Sequence, residues 1–226
     1  QILVEERISG PEFSAFALLD GEEAVWLASA QDHKRAYDGD EGPNTGGMGA
    51  VSPSRFETDD LREQIMKEII RPVAKGMAAE GNPYRGILYA GLMLTDKGPQ
   101  VIEFNCRFGD PETQVILPLL SSSLYQVMAG CCQGKSFWDI GITWRPGFVS
   151  NVILSHQDYP VSKLTSPVPI TLPFKNQSNN HSTTTLSTNV KTYWANVSIN
   201  NDTYYTTGGR VCSLVCYHPS DFYQTL

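Results

Sequence analysis

Short apolar or alternating segments dominate the first part of the chain, and one longer segment there has the period of a helix. Strands are predicted at Ile2 to Glu5, Glu12 to Leu19, Ala24 to Ala28, Ile87 to Leu94 and Gln100 to Phe104. Asp20-Gly21 and Thr95-Asp96-Lys97-Gly98 are turn sequences, so the second strand leads into the third and the last two form a hairpin.

The segment after residue 57 has helical periodicity. One apolar face is predicted by residues that recur every four positions, namely Leu61, Ile65, Ile69, Val73 and Met77. Thr58 is a suitable N-cap, and Asp59 and Asp60 place negative charge in the first turn, where the helix dipole favours it. Pro72 lacks one backbone donor, so we expect a kink or a restart there. A second, mostly buried helix is predicted from Thr113 to Cys131.

The remaining segments are polar or rich in turn residues. Gln31 to Pro53 has little periodicity and many Gly, Asp and Asn residues, which predicts a long loop of the kind that often carries function. Further on, Val149 to Leu154 and Val211 to Cys216 predict strands. Between them, residues 176–189 are mainly Asn, Ser and Thr and cannot bury apolar surface, so we expect a mobile, low-complexity loop.

The composition changes near Arg145-Pro146-Gly147. Residues 1–150 carry 13 basic and 21 acidic side chains, whereas residues 151–226 carry 4 and 3 and are rich in Ser, Thr and Asn. We therefore predict a mixed α/β (α+β) domain over residues 1–147 and a small, mostly β domain over residues 148–226.

Charge and hydropathy exclude several classes of protein. The formal net charge of −7 argues against a nucleic-acid-binding protein, although a local basic pocket can still bind a phosphorylated small molecule. No run of about 18 apolar residues occurs, so neither a transmembrane helix nor a membrane partner is expected. The five cysteines lack C-x-x-C spacing, which predicts free thiols in a reducing, cytoplasmic compartment. The chain opens inside the apolar run Ile2-Leu3-Val4, which predicts a fragment of a longer protein.

The strongest candidate for chemistry is the segment Val101-Ile-Glu-Phe-Asn-Cys-Arg-Phe-Gly-Asp-Pro-Glu112. Because side chains alternate along a strand, Glu103 and Asn105 are expected to point the same way, and Arg107 does too if the strand continues. Two hard oxygen ligands beside a guanidinium fit a site for Mg²⁺ and a triphosphate, where the arginine stabilises charge on a transferring phosphoryl group. The alternative is an ion pair between Glu103 and Arg107 on an edge strand. The charged turn that follows directly favours the metal site.

A glycine-rich loop is a weaker candidate. Gly46, Gly47 and Gly49 allow successive backbone N–H groups to converge on an anion, and Lys34 and Arg35 add positive charge nearby. This arrangement predicts a cradle for a phosphate or a carboxylate. The alternative is a plain flexible loop.

The connector between Val4 and Glu12 is the third candidate. A strand that runs into a short connector leaves backbone N–H and C=O groups open, and these can bind adenine, while Glu12 can accept hydrogen bonds from ribose hydroxyls. The alternative is that the acidic residues here are simply exposed to solvent.

Together these segments resemble the phosphoribosylamine–glycine ligase (glycinamide ribonucleotide synthetase) family of ATP-grasp enzymes over Ile2 to about Leu120. The motifs that carry the resemblance are Gln31-Asp-His-Lys-Arg35, Gly42-Pro-Asn-Thr-Gly-Gly-Met-Gly-Ala50, Tyr89-Ala-Gly-Leu-Met93 and Arg107-Phe-Gly-Asp-Pro-Glu-Thr-Gln114. The resemblance implies the C-terminal half of an ATP-grasp module, followed by the small C-terminal domain of the ligase.

The resemblance also implies an ATP-dependent ligase of de novo purine (IMP) biosynthesis. ATP phosphorylates the carboxylate of glycine, and the amine of 5-phosphoribosylamine attacks the resulting glycyl phosphate to give glycinamide ribonucleotide, ADP and phosphate. This chemistry depends on positioning and charge stabilisation and needs no covalent enzyme nucleophile.

Carried over residue by residue, the resemblance implies a role for each candidate. Glu103 and Asn105 would hold Mg²⁺ or Mn²⁺, and Arg107 and Asp110 would orient the phosphoryl group and the substrate. ATP would be bound through its adenine and ribose by Glu5, Glu6, Ile8 and Glu12. The phosphoribosylamine and glycine end would be lined by Lys34, Asn44, Thr45, Gly46 and Gly47.

The chain also departs from the family pattern. The N-terminal domain and the half of the module that clamps the triphosphate are missing from this sequence, so we expect the chain alone to be incomplete for catalysis. Only Tyr159-Pro160 and Thr207-Gly-Gly-Arg-Val211 match in the C-terminal part. Two alternatives stay open, another ATP-grasp carboxylate–amine ligase and a non-catalytic nucleotide-binding or scaffold segment. The resemblance also leaves open a parent protein in which further purine-pathway enzymes are fused to the ligase.

Overall fold

The computed structural model of the chain describes residues 2, 4–135, 137–170 and 190–225. These residues form two compact units, each assembled from three stretches of chain. Unit 1 comprises Gln1–Gln31, Pro53–Gly109 and Leu120–Trp144, and unit 2 comprises Asp32–Ser52, Asp110–Leu119 and Arg145–Leu226. The last stretch of unit 2 begins at Arg145, close to the predicted domain boundary after residue 147, which stays a prediction.

The secondary structure is mostly strand. The strands are β1 (Glu12–Gly21), β2 (Ala24–Asp32), β3 (Arg35–Tyr37), β4 (Glu41–Asn44), β5 (Gly49–Ser52), β6 (Tyr84–Thr95), β7 (Gly98–Asn105), β8 (Phe148–Ser155), β9 (Val168–Ile170), β10 (Val190–Trp194), β11 (Val197–Asn200), β12 (Thr203–Thr206) and β13 (Arg210–His218). The helices are α1 (Asp59–Ile65), α2 (Arg71–Ala79), α3 (Thr113–Ile116), α4 (Leu124–Cys132) and α5 (Phe137–Ile140). A π-helical turn covers Met66–Ile70, and 3₁₀ turns cover Leu117–Leu119 and Phe222–Thr225. In the part of the chain that the structure describes, every helix is too short or too polar to cross a membrane.

Unit 1 contains an antiparallel sheet in the order β2-β1-β6-β7. These four strands confirm the predicted strands and the predicted β6–β7 hairpin. The predicted strand at Ile2 to Glu5 is wrong for its described residues, because Ile2, Val4 and Glu5 lie outside every strand. Ile2 and Val4 are also exposed, since no described strand pairs with this apolar run. Leu3 lies outside the described residues.

One face of this sheet is buried under α1, the π turn and α2. The apolar cluster between them is formed by alternate residues of β1 and β6 and by the inward side of the helices: Phe13, Ala15, Ala17, Leu19, Leu88, Ala90, Leu92, Ile65, Met66, Ile69, Ile70 and Ala74. Leu61 and Val73 pack at its margin. Met77 is exposed, so the predicted apolar face is wrong at this position. A π turn contains more residues than an α turn, so a four-residue repeat that continues past it drifts off the buried face.

Thr58→Ala should destabilise the chain by about 1 kcal/mol, which lowers the melting temperature by about 2–4 °C in a chain of this size. Thr58 has extended backbone angles, and its hydroxyl accepts a hydrogen bond from the Leu61 amide at 3.1 Å, as the predicted N-cap requires. Thermal unfolding followed by circular dichroism measures the loss. Thr58→Ser keeps the hydroxyl and should stay close to the parent chain, so an equal loss in both variants would contradict a capping role.

Proline accounts for two interruptions of helical structure. Pro72 lies in the first turn of α2, directly after the π turn, which confirms the expected restart. The predicted helix from Thr113 to Cys131 is wrong as a single element, because α3 ends at Ile116 and α4 begins only after Ser123. Pro118 lies between them in the 3₁₀ turn, and because it lacks a backbone N–H it cannot donate the hydrogen bond that would continue the α-helix.

The opposite face of the unit 1 sheet carries an aromatic cluster. The rings of Phe16 and Tyr89 stack with centroids 4.5 Å apart, and the centroid of the Phe108 ring lies 6.5 Å from that of Phe16. The hydroxyls of Ser14 and Tyr89 are 3.1 Å apart. Phe108 follows β7 after two residues, so this cluster holds the turn that leaves the predicted metal-binding strand.

Tyr84 should ionise at unusually high pH. Burial raises the pKa of Tyr84 from 10.0 to about 12, and the neighbouring Cys106 acts in the same direction. Its hydroxyl donates a hydrogen bond to the Ile87 carbonyl at 2.6 Å, which only the neutral phenol can do. Because the folded-state pKa is raised, this stabilisation is complete below pH 10 and is lost as the pH rises towards 12.

A phenolate absorbance titration of the chain and of Tyr84→Phe measures this pKa. The difference between the two curves should be one tyrosine that titrates near pH 12. The free energy of unfolding of Tyr84→Phe should also fall less steeply over this alkaline range. A difference curve centred near pH 10 would show that the phenol is not protected by burial.

Unit 2 contains an antiparallel sheet in the order β10-β13-β8-β5, with a separate β11-β12-β9 sheet and the β3-β4 pair. β8 and β13 confirm the two predicted strands of the C-terminal part. The predicted long loop from Gln31 to Pro53 is wrong in part, because it contains β3, β4 and β5. Each is only three or four residues long, and β5 pairs with β8, far along the chain, so local periodicity could not indicate it. The predicted loop at 176–189 lies outside the described residues.

Candidate functional site

The two predicted metal ligands lie side by side at the end of β7. Asn105 Nδ2 donates a hydrogen bond to Glu103 Oε1 at 3.0 Å, so both side chains lie on the same side of the strand. Gly91 lies opposite Glu103 in β6, and an added Cβ there would be 3.4 Å from Glu103 Cγ. A methyl group at Gly91 would thus only touch the stem of Glu103, and the Glu103 side chain is exposed.

This pair fits a divalent ion that brings further ligands with it. A carboxylate and an amide supply two hard oxygens, which is what Mg²⁺ takes from a protein when phosphate oxygens and water complete its shell. Mn²⁺ accepts the same oxygen ligands. Among the described residues, no group of three or more His, Cys, Asp or Glu side chains is placed to hold a metal ion. The donor set therefore suits a metal–nucleotide complex better than a bare ion.

Arg107 follows the strand and turns towards its own backbone. Its Nη1 donates a hydrogen bond to the Phe108 carbonyl at 2.9 Å. No ion pair joins Arg107 to Glu103 in the described part of the chain, so the alternative of an edge-strand ion pair gains no support. The guanidinium lies in unit 1 with the predicted metal pair. Because β7 ends at Asn105, side-chain alternation does not extend to Arg107, and its shared direction with Glu103 stays a prediction.

The predicted adenine-binding connector is only partly assembled into a site. Glu6 and Ile8 line a cavity of about 230 Å³ together with Arg7, Ser9, Thr95, Asp96, Lys97 and Gln100. Glu5 is exposed, and Glu12 is the first residue of β1 and lies outside this cavity lining. Pro11 fixes the connector against β6, because its carbonyl accepts a hydrogen bond from the Leu94 amide at 2.9 Å.

The glycine-rich loop belongs to unit 2 and is held by its own hydrogen bonds. The amide and the hydroxyl of Thr45 both donate to the Lys34 carbonyl, at 2.7 and 2.9 Å. Gly47 N donates to Thr45 Oγ1 at 2.9 Å, and Gly46 N donates to the Tyr159 hydroxyl at 3.0 Å. Because these N–H groups already have acceptors within the protein, the predicted anion cradle of open N–H groups is not formed. Asn44, the last residue of β4, is exposed.

Asp110 is the other predicted residue in unit 2, and both of its carboxylate oxygens are held. Oδ1 accepts a hydrogen bond from Gln114 Nε2 at 2.8 Å, and Oδ2 accepts one from Arg210 Nη2 at 2.9 Å. Arg210 Nη1 donates to the Asp110 carbonyl at 3.1 Å and to the Gly46 carbonyl at 2.9 Å. The structure thus brings Asp110 and Gly46, two predicted substrate-side residues, together through one arginine.

Sequence reasoning assigned no role to Arg210, Tyr159 or Gln114. The available signal was weak, since Tyr159 and Arg210 stand in the two short C-terminal motifs that match the family. Gly209 belongs to the same motif, and a Cβ there would overlap the ring of Tyr159. The double glycine before Arg210 therefore allows the backbone to pass close to this tyrosine.

Comparison with known proteins agrees with these observations. A family model described as the phosphoribosylglycinamide synthetase ATP-grasp (A) domain matches residues 1–113. A phosphoribosylamine–glycine ligase from Vigna unguiculata is 49% identical over 164 residues, which cover 72% of this chain and 52% of that protein. The enzyme of the same name from Streptococcus pyogenes serotype M3 is 43% identical over 218 residues, which cover 95% of this chain and 48% of that protein.

The fold agrees as well. A crystal structure of phosphoribosylamine–glycine ligase from Thermotoga maritima superposes with a TM-score of 0.76 at 32% identity, covering 98% of this chain and 51% of that one. The chain thus spans about half the length of these relatives. The predicted ATP-grasp fold class is confirmed. The family model matches half of the sequence, and 98% of this chain superposes on a solved member. The chain therefore belongs to the phosphoribosylglycinamide synthetase family of ATP-grasp proteins.

Proposed function

We propose that the protein containing this chain joins 5-phosphoribosylamine and glycine, at the expense of ATP, to give glycinamide ribonucleotide, ADP and phosphate. The observation that carries the proposal is the paired Glu103 carboxylate and Asn105 amide at the end of β7, in a chain of this family. These side chains supply the two protein oxygens that a metal–triphosphate site needs.

The nucleotide end of the reaction falls to unit 1. ATP-grasp ligases in general use ATP with Mg²⁺ or Mn²⁺, and we propose Glu103 and Asn105 as the residues that hold the ion. When bound, such an ion draws negative charge from the phosphate oxygens and makes the terminal phosphorus easier to attack. The Arg107 guanidinium would stabilise the charge on the transferring phosphoryl group, and Glu5, Glu6, Ile8 and Glu12 would bind adenine and ribose.

The substrate end falls to unit 2. Asp110 would orient the substrate, while Lys34, Asn44, Thr45, Gly46 and Gly47 would line the phosphoribosylamine and glycine end. The proposed reaction needs no covalent enzyme nucleophile. The phosphoryl group would pass directly from ATP to the glycine carboxylate. The amine would then displace phosphate from glycyl phosphate, and the protein contributes orientation and charge.

The biological setting is part of the same proposal. The partners would be the small molecules ATP, glycine and 5-phosphoribosylamine, and the reaction would serve purine biosynthesis in the cytoplasm. Fusion to further enzymes of that pathway remains open in the parent protein.

Substrate-dependent ADP release by the complete gene product tests this proposal. ADP should form only when glycine and freshly generated 5-phosphoribosylamine are both present, and mass spectrometry should detect glycinamide ribonucleotide in equal amount. ADP release with a different carboxylate or amine, but not with this pair, would assign the chain to another ATP-grasp ligase. Calorimetry that finds no binding of metal–ATP would favour a non-catalytic segment.

A further inference from the structure

We infer that Arg210 is a positioning residue of the ligase reaction, which acts by holding Asp110 and the Gly46 backbone in a fixed relation at the substrate end. The inference rests on the proposed function, because that function makes Asp110 and Gly46 the groups that meet the substrate. Arg210 itself begins β13, far from both residues along the chain.

The guanidinium makes three hydrogen bonds to these two residues. Nη1 donates to the Gly46 carbonyl at 2.9 Å and to the Asp110 carbonyl at 3.1 Å, and Nη2 donates to Asp110 Oδ2 at 2.9 Å. Arginine can do this because its donors are arranged in a rigid planar fork, which lysine lacks. The Arg210 side chain therefore links the glycine-rich loop at Gly46 to the backbone and the carboxylate of Asp110.

The exposure of the pair indicates which partner faces outwards. The side chain of Arg210 is 20% exposed, whereas that of Asp110 is 57% exposed. The guanidinium is therefore mostly shielded from solvent, whereas part of the Asp110 carboxylate stays accessible to solvent and to a substrate. Gln114 Nε2 holds the other carboxylate oxygen at 2.8 Å, so the orientation of Asp110 is fixed from two directions.

The Gly46 peptide is also held at both of its polar groups. Its carbonyl accepts from Arg210, and its N–H donates to the Tyr159 hydroxyl at 3.0 Å. A Cβ at Gly46 would lie 3.2 Å from that hydroxyl and 3.4 Å from Arg210 Cζ, so it would fit only if the Tyr159 hydroxyl shifted slightly. Two C-terminal segments therefore determine the geometry of a loop near the start of unit 2.

The contacts of Arg210 affect folding and positioning to different extents. The ion pair with the accessible Asp110 carboxylate contributes only about 0–1 kcal/mol to folding. The same contacts have a larger effect on a reaction that depends on orientation, because a small displacement of a positioning group lowers the rate strongly. Arg210 is therefore expected to matter more for catalysis than for folding.

A double-mutant cycle in the complete gene product tests the inference, with Arg210→Gln, Asp110→Asn and the double variant. Arg210→Gln should lower kcat/KM for glycine or phosphoribosylamine by about tenfold to a hundredfold, as expected for lost hydrogen bonds to a charged group. The KM for ATP should change less than about twofold, since unit 1 carries the nucleotide residues. The double variant should lose less than the sum of the two single losses, because one of the three Arg210 hydrogen bonds goes to the Asp110 carboxylate.

Arg145→Gln is the matched control, because it removes the same charge from an arginine of unit 2 that lies over the Tyr217 ring and contacts neither Gly46 nor Asp110. Its kinetics should equal those of the parent protein. Additive effects of Arg210→Gln and Asp110→Asn, unchanged kcat/KM, or an equal rise in the KM for ATP would each overturn the inference.

Folding and function are separated by two further measurements. Should Arg210→Gln fail to fold, Arg210→Lys decides, since it keeps the charge but not the fork and should still lower kcat/KM. Failure of both variants to fold would assign Arg210 a structural role and overturn the inference. A parent protein that makes no glycinamide ribonucleotide would instead refute the proposed function itself.

Discussion

Glu103→Gln should reduce metal-dependent turnover of the complete gene product by about a hundredfold or more, since even a group that only orients a metal ligand is worth about 10–100-fold. Glutamine keeps the shape of the side chain and an oxygen that can accept the hydrogen bond from Asn105 Nδ2. It removes the negative charge that would attract the cation. Because Glu103 is exposed at the edge of the unit 1 sheet, the free energy of unfolding should change by less than about 0.5 kcal/mol.

Initial rates at fixed ATP and increasing Mg²⁺ or Mn²⁺ measure this effect, alongside thermal unfolding of the same samples. High metal concentration should recover part of the lost rate, because the variant binds the ion more weakly rather than not at all. Glu80→Gln is the matched control, since it makes the same chemical change at an exposed position at the end of α2. Parallel losses of stability and activity, or an unchanged metal dependence, would count against a ligand role for Glu103.

Features with a local cause could be predicted from the sequence. The alternation of side chains along a strand placed Glu103 and Asn105 on one side of β7, and the hydrogen bond between them agrees with that placement. The N-cap at Thr58 and the restart at Pro72 follow in the same way from groups within a few residues. Such features depend on backbone geometry that neighbouring residues determine.

Features with a distant cause could not be predicted. Gly49–Ser52 forms β5 because it pairs with β8. Four residues are too few to show the alternating pattern that predicts a strand. The apolar run at Ile2 shows the opposite case, a strand that was predicted but is not formed by the described residues. Apolar side chains alone do not form a strand, because a strand also needs a neighbouring strand to pair with. The contacts of Arg210 also have a distant cause. They join residues from three stretches of unit 2 that are far apart in the sequence, so no local spacing indicates them.

Gly47→Ala should strongly destabilise the substrate-side loop. Gly47 is buried with φ +106°, a backbone conformation that costs L-residues about 1–2 kcal/mol. An added Cβ would overlap Pro111 Cδ and lie 2.8 Å from Asp32 Oδ1. Pro111 is itself fully buried and cannot move aside. The two effects together should destabilise the chain by about 3 kcal/mol or more.

Thermal unfolding of Gly47→Ala and of Gly39→Ala separates the two causes. Gly39 also has a positive φ, +75°, but a Cβ there would meet nothing within 4 Å. Gly39→Ala should therefore show only the backbone cost, about 1–2 kcal/mol, and Gly47→Ala should show the additional cost of overlap. In the complete gene product only Gly47→Ala should lower kcat/KM for the proposed substrates, because it displaces the loop next to Gly46. Equal destabilisation by both variants would mean that the loop is free to move away from Pro111, and the close packing that places Gly46 beside Asp110 would then be absent in solution.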